Sequence, residues 1–297
     1  MNSRIAPGPA AFGLMLLLCA IWGMQQVSIK VASTGISPIL QAGLRSGVAA
    51  LLVFAWARWR GIALVAHDRS LKPGLLVGFL FGLEFIFIFA GLDHTTVSRM
   101  VVFLYTAPCF TVLGLHFFVP GERMGWRQGA GVLLAFAGLV LAFIDKASGG
   151  SVLGDVFGVL AALFWAATTV LIRATALAKV TATKVLLYQL VVSAAVMFPL
   201  SWLAGERGIG VLSAPVLWAM AYQIVVVACI SYLAWFWLLT RYLAGRLLVF
   251  SFLTPLFGVW FGVMLMGDRP TPDFVAAALL VLGGIVLVNL PSRVLPT

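Results

Sequence analysis

The chain has 297 residues, of which 63% are hydrophobic and 9% charged, and a formal net charge of +10. A soluble domain carries roughly 25% charged residues, so this composition cannot clothe a water-soluble surface. The Lys and Arg residues lie between apolar runs rather than in one block, which argues against a nucleic-acid-binding arm and marks them as loop charges of a membrane protein.

Ten apolar runs reach the ~20 residues that cross a bilayer core. They cover about 11–32, 38–57, 73–92, 97–119, 125–144, 152–172, 185–204, 215–239, 246–266 and 273–291. Residues 1–24 resemble a signal peptide, with Arg4 ahead of an apolar stretch. No A-x-A site precedes polar sequence, however, and the apolar character continues to Val27, so an uncleaved first span is expected. The longest gap, Arg58 to Lys72, leaves no room for a soluble domain, and no G-x-x-x-x-G-K-[ST] motif offers a nucleotide-hydrolysing engine. Ten spans return both termini to one side. Thirteen of the 19 Lys and Arg residues fall on that side and five on the other, with Arg45 inside a span. The excess marks the cytoplasmic face, so both termini are expected inside.

The two halves repeat one another. Arg99-Met100-Val101-Val102-Phe103 leads to Pro108, and Arg246-Leu247-Leu248-Val249-Phe250 leads to Pro255, both reading R-x-x-V-F-x-x-x-x-P at an offset of 147. Each run then ends in Gly-acid-Arg, at Gly121-Glu122-Arg123 and Gly267-Asp268-Arg269. Trp22 matches Trp165 and Lys30 matches Arg173 at an offset of 143, which places Gln25 and Gln26 on Thr168 and Thr169; Glu84 falls on Ser231 at 147. The expected repeats are residues 1–146 and 147–297. Five spans per half is odd, so the second half enters the membrane inverted, the arrangement that supports alternating access around a midplane site. The fold class expected is an all-α integral membrane protein of ten transmembrane helices in two inverted five-helix repeats. Pro108 and Pro255 sit within long apolar runs, where a proline removes a backbone hydrogen bond and kinks the helix, and they are the expected hinges.

Small residues at four-residue spacing (Gly74, Gly78, Gly82; Gly258, Gly262) suit close helix packing. Trp56, Trp59, Trp126, Trp202 and Trp218 lie at span ends and read as an interfacial belt. Cys19, Cys109 and Cys229 lie inside apolar runs, without a C-x-x-C, and read as small buried hydrophobes.

Two charges fall inside spans, Arg45 and Glu84. Burying either costs about 2.5–3.5 kcal/mol or more, so each needs a reason. Glu84 suits a substrate ammonium or a transported proton, or else pairs with Arg45; for Arg45 a structural pairing is favoured. Trp22, Gln25 and Gln26 share a broad face of the first span, and Trp165, Thr168 and Thr169 repeat that arrangement in the sixth. An aromatic plate beside amides or hydroxyls suits a zwitterion with an apolar side chain, although polar groups also bond helix to helix. Tyr105 and Thr106 precede Pro108, and Ser251, Phe252 and Thr254 precede Pro255, where a helix break frees backbone groups for a carboxylate. Ser231, Tyr232, Trp235 and Trp237 add polar and aromatic surface to the eighth span, and at least one of these aromatics should face lipid. His94 and His116 lie near the membrane without a clear partner. No catalytic constellation, metal motif or cofactor motif is visible.

Over essentially its whole length the chain resembles the EamA-repeat drug/metabolite transporter superfamily, through the ten spans, the two five-span halves, the mid-run prolines and the Gly-acid-Arg ends. Within it, by overall likeness, the chain looks most like the YddG-type exporters of aromatic and other neutral amino acids. The resemblance implies a multi-pass protein of the cytoplasmic membrane, taken as a monomer, that exports small amphipathic metabolites without a cofactor and with or without protons. Efflux of lipophilic cations through Glu84 is the first alternative; a membrane-embedded enzyme or sensor is the second.

Overall fold

A computed structural model describes residues 9–64, 68–119, 124–145, 149–241 and 253–289. Among them every regular element is a helix: α1 (Pro9–Ala32), α2 (Pro38–Trp59), α3 (Leu71–Leu92), α4 (Val97–Leu104), α5 (Ala107–Phe118), α6 (Trp126–Ile144), α7 (Val152–Ala174), α8 (Ala182–Leu203), α9 (Ala214–Ala221), α10 (Tyr232–Arg241), α11 (Leu253–Met266) and α12 (Pro272–Asn289). A 3₁₀ turn covers Ala176–Lys179, and a π-helical stretch, Tyr222–Ser231, joins α9 to α10. Among the described residues eight helices are long and apolar enough to cross a membrane, with α4–α5 and α9–α10 each making one, and the described parts of α11 and α12 are shorter apolar helices.

Local chemistry sets the helix starts. Pro38 opens α2 from the first turn, where its missing N–H is no loss. The Thr96 hydroxyl accepts the Arg99 N–H at the start of α4, and the Ser151 hydroxyl accepts the Gly154 N–H at the start of α7. The kink expected around Pro108 is a full break. A proline ring clashes with the carbonyl four residues before it, and α4 ends at Leu104, four residues before Pro108. Across the break the bonds shorten to three-residue spacing, with Thr106 N–H on Phe103 O at 3.2 Å and Cys109 N–H on Thr106 O at 2.9 Å. Pro108 therefore lies in the first turn of α5, and Pro255 lies within α11 near where the described residues resume.

Helix pairing respects the repeat. α2 packs on α8 and α6 on α12, each helix against its own counterpart. Several further contacts come in related pairs: α1 with α11 and α7 with α5; α3 with α7 and the π stretch with α1; α3 with α8 and the π stretch with α2. The α6–α12 crossing needs two glycines. A Cβ on Gly131 would lie 2.7 Å from the Gly284 carbonyl oxygen, and one on Gly284 would lie 2.5 Å from that of Gly131. Gly74 and Gly78 meet Tyr188 and Val192 of α8, whereas Gly258 lies against Val101. Trp59, Trp126, Trp202 and Trp218 are strongly exposed at helix ends, as an interfacial belt requires.

Polar side chains tie the connections together. The Glu206 carboxylate accepts the N–H groups of Ile39 and Leu40 at 2.8 and 2.9 Å, capping α2 from the connection that follows α8. In the matching place, Asp68, in the connection that follows α2, meets Lys184 in the first turn of α8 at 2.9 Å. The Asp268 carboxylate accepts the Ser98 N–H at 2.7 Å, and the Thr271 hydroxyl donates to Asp145 at 2.9 Å, so the halves are tied at the start of α4 and the end of α6.

Candidate functional site

Arg45 and Glu84, the charges in the middle of the second and third spans, come to one place. Arg45 on α2 has no exposed surface, and Glu84 on α3 is 6% exposed. The Arg45 guanidinium lies 4.1 Å over the Phe85 ring, and its Nη2 donates to the Tyr232 hydroxyl at 3.2 Å. Its Nε and Nη1 are buried with no hydrogen-bond partner. Among the described residues Glu84 makes no ion pair and accepts no hydrogen bond; the charge of Arg45 acts on it without direct contact. The expected structural pairing of Arg45 with Glu84 is therefore not made as an ion pair. Arg45 instead bridges to the eighth span, on which Cys229 and Tyr232 lie within its electrostatic reach. An unneutralised pair of opposite charges in apolar surroundings is costly, and such residues mark pathways in membrane proteins.

Aromatic side chains stand around this pair. Trp22 on α1 donates from Nε1 to the Ser231 hydroxyl at 2.9 Å and meets Trp235 edge-on, with ring centroids 5.9 Å apart. Ser231 passes its own hydroxyl proton to the Val227 carbonyl at 2.6 Å. The π-helical winding ends at Ser231, which brings Ser231, Tyr232 and Trp235 to face α1 and α2; single π turns are frequent at functional sites. Trp165, the repeat counterpart of Trp22, packs edge-on against Tyr105 at 5.4 Å, and Tyr105 occupies the break between α4 and α5. Tyr105 in turn lies within electrostatic reach of Cys19, Glu84 and Tyr232. The cluster thus draws on α1, α2, α3, the α4–α5 break, α7 and α10.

The other expected residues divide. Gln26 keeps a buried Oε1 without a partner, as Thr168 keeps a buried hydroxyl. Gln25 is buried, but Thr169 spends its hydroxyl on the Trp165 carbonyl one turn back, at 3.0 Å. Trp237 is the aromatic of the eighth span that turns outward, 43% exposed. Ser251 and the Arg246–Phe252 stretch lie outside the described residues. His116 on α5 accepts the Met124 N–H, in the connection before α6, at 3.0 Å, and His94 packs against Phe157. Sequence reasoning missed Phe85 and Gln223. Gln223 is fully buried, its amide donates to the Ser28 carbonyl at 3.1 Å and its Oε1 has no partner; an amide inside an apolar run was the available signal.

Comparison with known proteins places this architecture. The EamA-like transporter family profile matches twice, at residues 10–144 and 152–290. An uncharacterized transporter of Archaeoglobus fulgidus is 27% identical over 281 residues, covering 93% of each chain. A probable amino-acid metabolite efflux pump of Escherichia coli is 26% identical over 286 residues, covering 91% of this chain and 92% of its own. One crystal structure shares the fold with a TM-score of 0.66 at 21% identity, covering 95% of this chain and 98% of that one.

Proposed function

The chain belongs to the EamA-like transporter family, a multi-pass transporter of the cytoplasmic membrane and not an enzyme, and from that premise we propose that it exports small amphipathic metabolites, aromatic and other neutral amino acids first among them. In this proposal ten spans place both termini in the cytoplasm. The halves 1–146 and 147–297, inverted with respect to each other, rock around the Arg45–Glu84 region in a monomer. The break before Pro108, with Pro255 as its repeat counterpart, absorbs the bending. Substrate contacts come from Trp22, Gln25, Gln26, Glu84, Tyr105, Trp165, Thr168, Thr169, Ser231, Tyr232, Trp235 and Ser251.

The observation that carries this reading is Glu84, a buried carboxylate that makes no hydrogen bond or ion pair among the described residues and acts electrostatically on Tyr105 and Tyr232. A buried carboxylate in an otherwise apolar region suits the ammonium of a substrate that also carries an apolar side chain. The name of the Escherichia coli relative, at 26% identity, supports export of an amino-acid metabolite in general terms.

Glu84 also favours a second reading, proton-coupled efflux of lipophilic cations, because a cation pump needs a buried anion. Purified protein in liposomes separates the two. Saturable counterflow of an unlabelled against a labelled neutral amino acid, without a pH gradient, supports amino-acid export. No exchange of any amino acid, with gradient-driven movement of a lipophilic cation, replaces it by the pump. If Glu84→Gln keeps both the rate and its pH dependence, proton coupling through Glu84 fails.

A further inference from the structure

The chain buries two arginines in quite different ways. Arg99 is satisfied by the protein: its Nε and Nη2 reach Asp155, its Nη1 donates to the Asp145 carbonyl at 2.8 Å and its Nη2 to the Ala142 carbonyl at 2.7 Å. Arg45, with no exposed surface, makes one hydrogen bond, at 3.2 Å to a neutral phenol. Its Nε and Nη1 hold three of the five guanidinium donors, and none of these meets an acceptor among the described residues. A guanidinium that serves only structure has its donors filled, because an unmet buried donor costs about 1–3 kcal/mol. The repeat offers no structural reason either. The residue at the matching place is Tyr188, which spends its hydroxyl on Ser70 at 3.1 Å.

Within the amino-acid reading above, on which this rests, we propose that Arg45 binds the substrate carboxylate, so that a transported molecule must carry a free carboxylate as well as an ammonium. Glu84 takes the ammonium. The two side chains influence each other without forming an ion pair, and an α-amino acid, with its charged groups on one carbon, bridges them. Phe85 under the guanidinium fixes its plane, and the Tyr232 hydroxyl on Nη2 sets its rotation, leaving the free donors for the ligand. The substrate side chain then lies among Trp22, Trp165 and Trp235. This assigns Arg45 a binding role in place of the structural one favoured from sequence, and it makes the site selective for zwitterions rather than cations.

The test is counterflow of labelled phenylalanine in liposomes, with competitors that lack one charged group. In the wild type, phenylalaninamide and phenethylamine, which lack the carboxylate, should fail to compete at about a hundredfold excess, whereas unlabelled phenylalanine competes fully. Arg45→Gln should raise the half-saturating concentration of phenylalanine about tenfold or more, the loss of a charged hydrogen bond, and should let phenylalaninamide compete as well as phenylalanine. Arg45→Lys should recover part of the affinity. Glu84→Gln should keep the carboxylate requirement while relaxing that for the ammonium, so that 3-phenylpropionate begins to compete. If phenylalaninamide competes equally in the wild type, the assignment of Arg45 is overturned while amino-acid export stands; that comparison needs no variant and decides the matter even if Arg45→Gln does not fold. If the wild type exchanges no amino acid and moves a lipophilic cation instead, both the assignment and the amino-acid reading are overturned.

Discussion

Asp155 in the first turn of α7 grips Arg99 of α4 with both carboxylate oxygens, Nε to Oδ1 at 3.0 Å and Nη2 to Oδ2 at 2.5 Å. Both side chains are buried, with 3% and 2% of their surface exposed. Thr95 adds a hydrogen bond to the same carboxylate, and Asp145 lies 3.6 Å from Arg99 Nη1. The pair joins the two halves where α3, α4, α6 and α7 meet. Removing one partner of a buried pair leaves an uncompensated charge, which costs about 3–5 kcal/mol. Asp155→Ala should therefore lower the detergent melting temperature strongly or abolish folding, and Asp155→Asn should cost less because it keeps the shape and one acceptor. Equal melting of Asp155→Ala and wild type would show that the pair is not structural.

Gly131 and Gly284 let the α6 and α12 backbones touch, each standing where a Cβ of the other would intrude. In lipid this closeness matters, because apolar helices gain little from burial and associate by packing. Overpacking a close contact costs about 1–3 kcal/mol. Gly284→Leu should lower the melting temperature, whereas Gly13→Leu, which meets nothing within 4 Å, should not. The comparison is read by thermal unfolding of the two purified variants beside wild type, and an equal effect of the two would refute the crossing.

Much of this architecture is legible in the chain, for identifiable reasons. Span-length apolar runs follow from the bilayer thickness, so α1, α2, α3, α6, α7 and α8 lie close to where hydropathy puts them. The repeat pairs Trp22 with Trp165 at an offset of 143. Matching positions are not matching contacts, however: Trp22 meets Trp235, while Trp165 meets Tyr105. The π stretch at Tyr222–Ser231 has no signature in a uniformly apolar run, and it decides which side chains of the eighth span face α1 and α2. Arg45 was visible as a charge, but only three-dimensional placement reveals that its donors are empty. The break at Leu104 follows from Pro108 by backbone sterics and was read as a kink because hydropathy is blind to a two-residue interruption.

Asp68 sits in the connection after α2, outside the spans. Hydrogen bonds from Ser70, and after these the bond from Lys184, hold its carboxyl down at about 2. An unfolded Asp titrates near 3.9, so the folded value lies below the unfolded one. The contribution of Asp68 is then fully present above about pH 4 and is lost as pH falls toward 2. Across pH 5–8 the melting difference between wild type and Asp68→Asn should be constant, and it should shrink only in stronger acid. A difference that disappears near pH 6 would contradict this, and any pH dependence of transport in that range must then come from another group.

Pro108 lies in the first turn of α5, where a proline is compatible with the fold, so replacing it should cost little stability, and the same is expected of its repeat counterpart Pro255 in α11. Pro108 nonetheless denies α4 and α5 the N–H that would join them, and Tyr105 occupies the resulting gap beside Trp165. Alanine at 108 restores that donor opposite the Leu104 carbonyl and favours one continuous helix. If bending at this place accompanies the change between inward and outward access, a straighter helix biases the balance of states. A bias of about 1 kcal/mol changes populations about fivefold. The doubly substituted Pro108→Ala, Pro255→Ala protein should therefore melt within a few degrees of wild type while its counterflow rate falls several-fold. A double variant that both melts and transports as wild type does would show that the break shapes the site without acting as a hinge. Loss of transport accompanied by loss of stability would instead assign the prolines to folding, which the unchanged melting expected here separates from a role in motion.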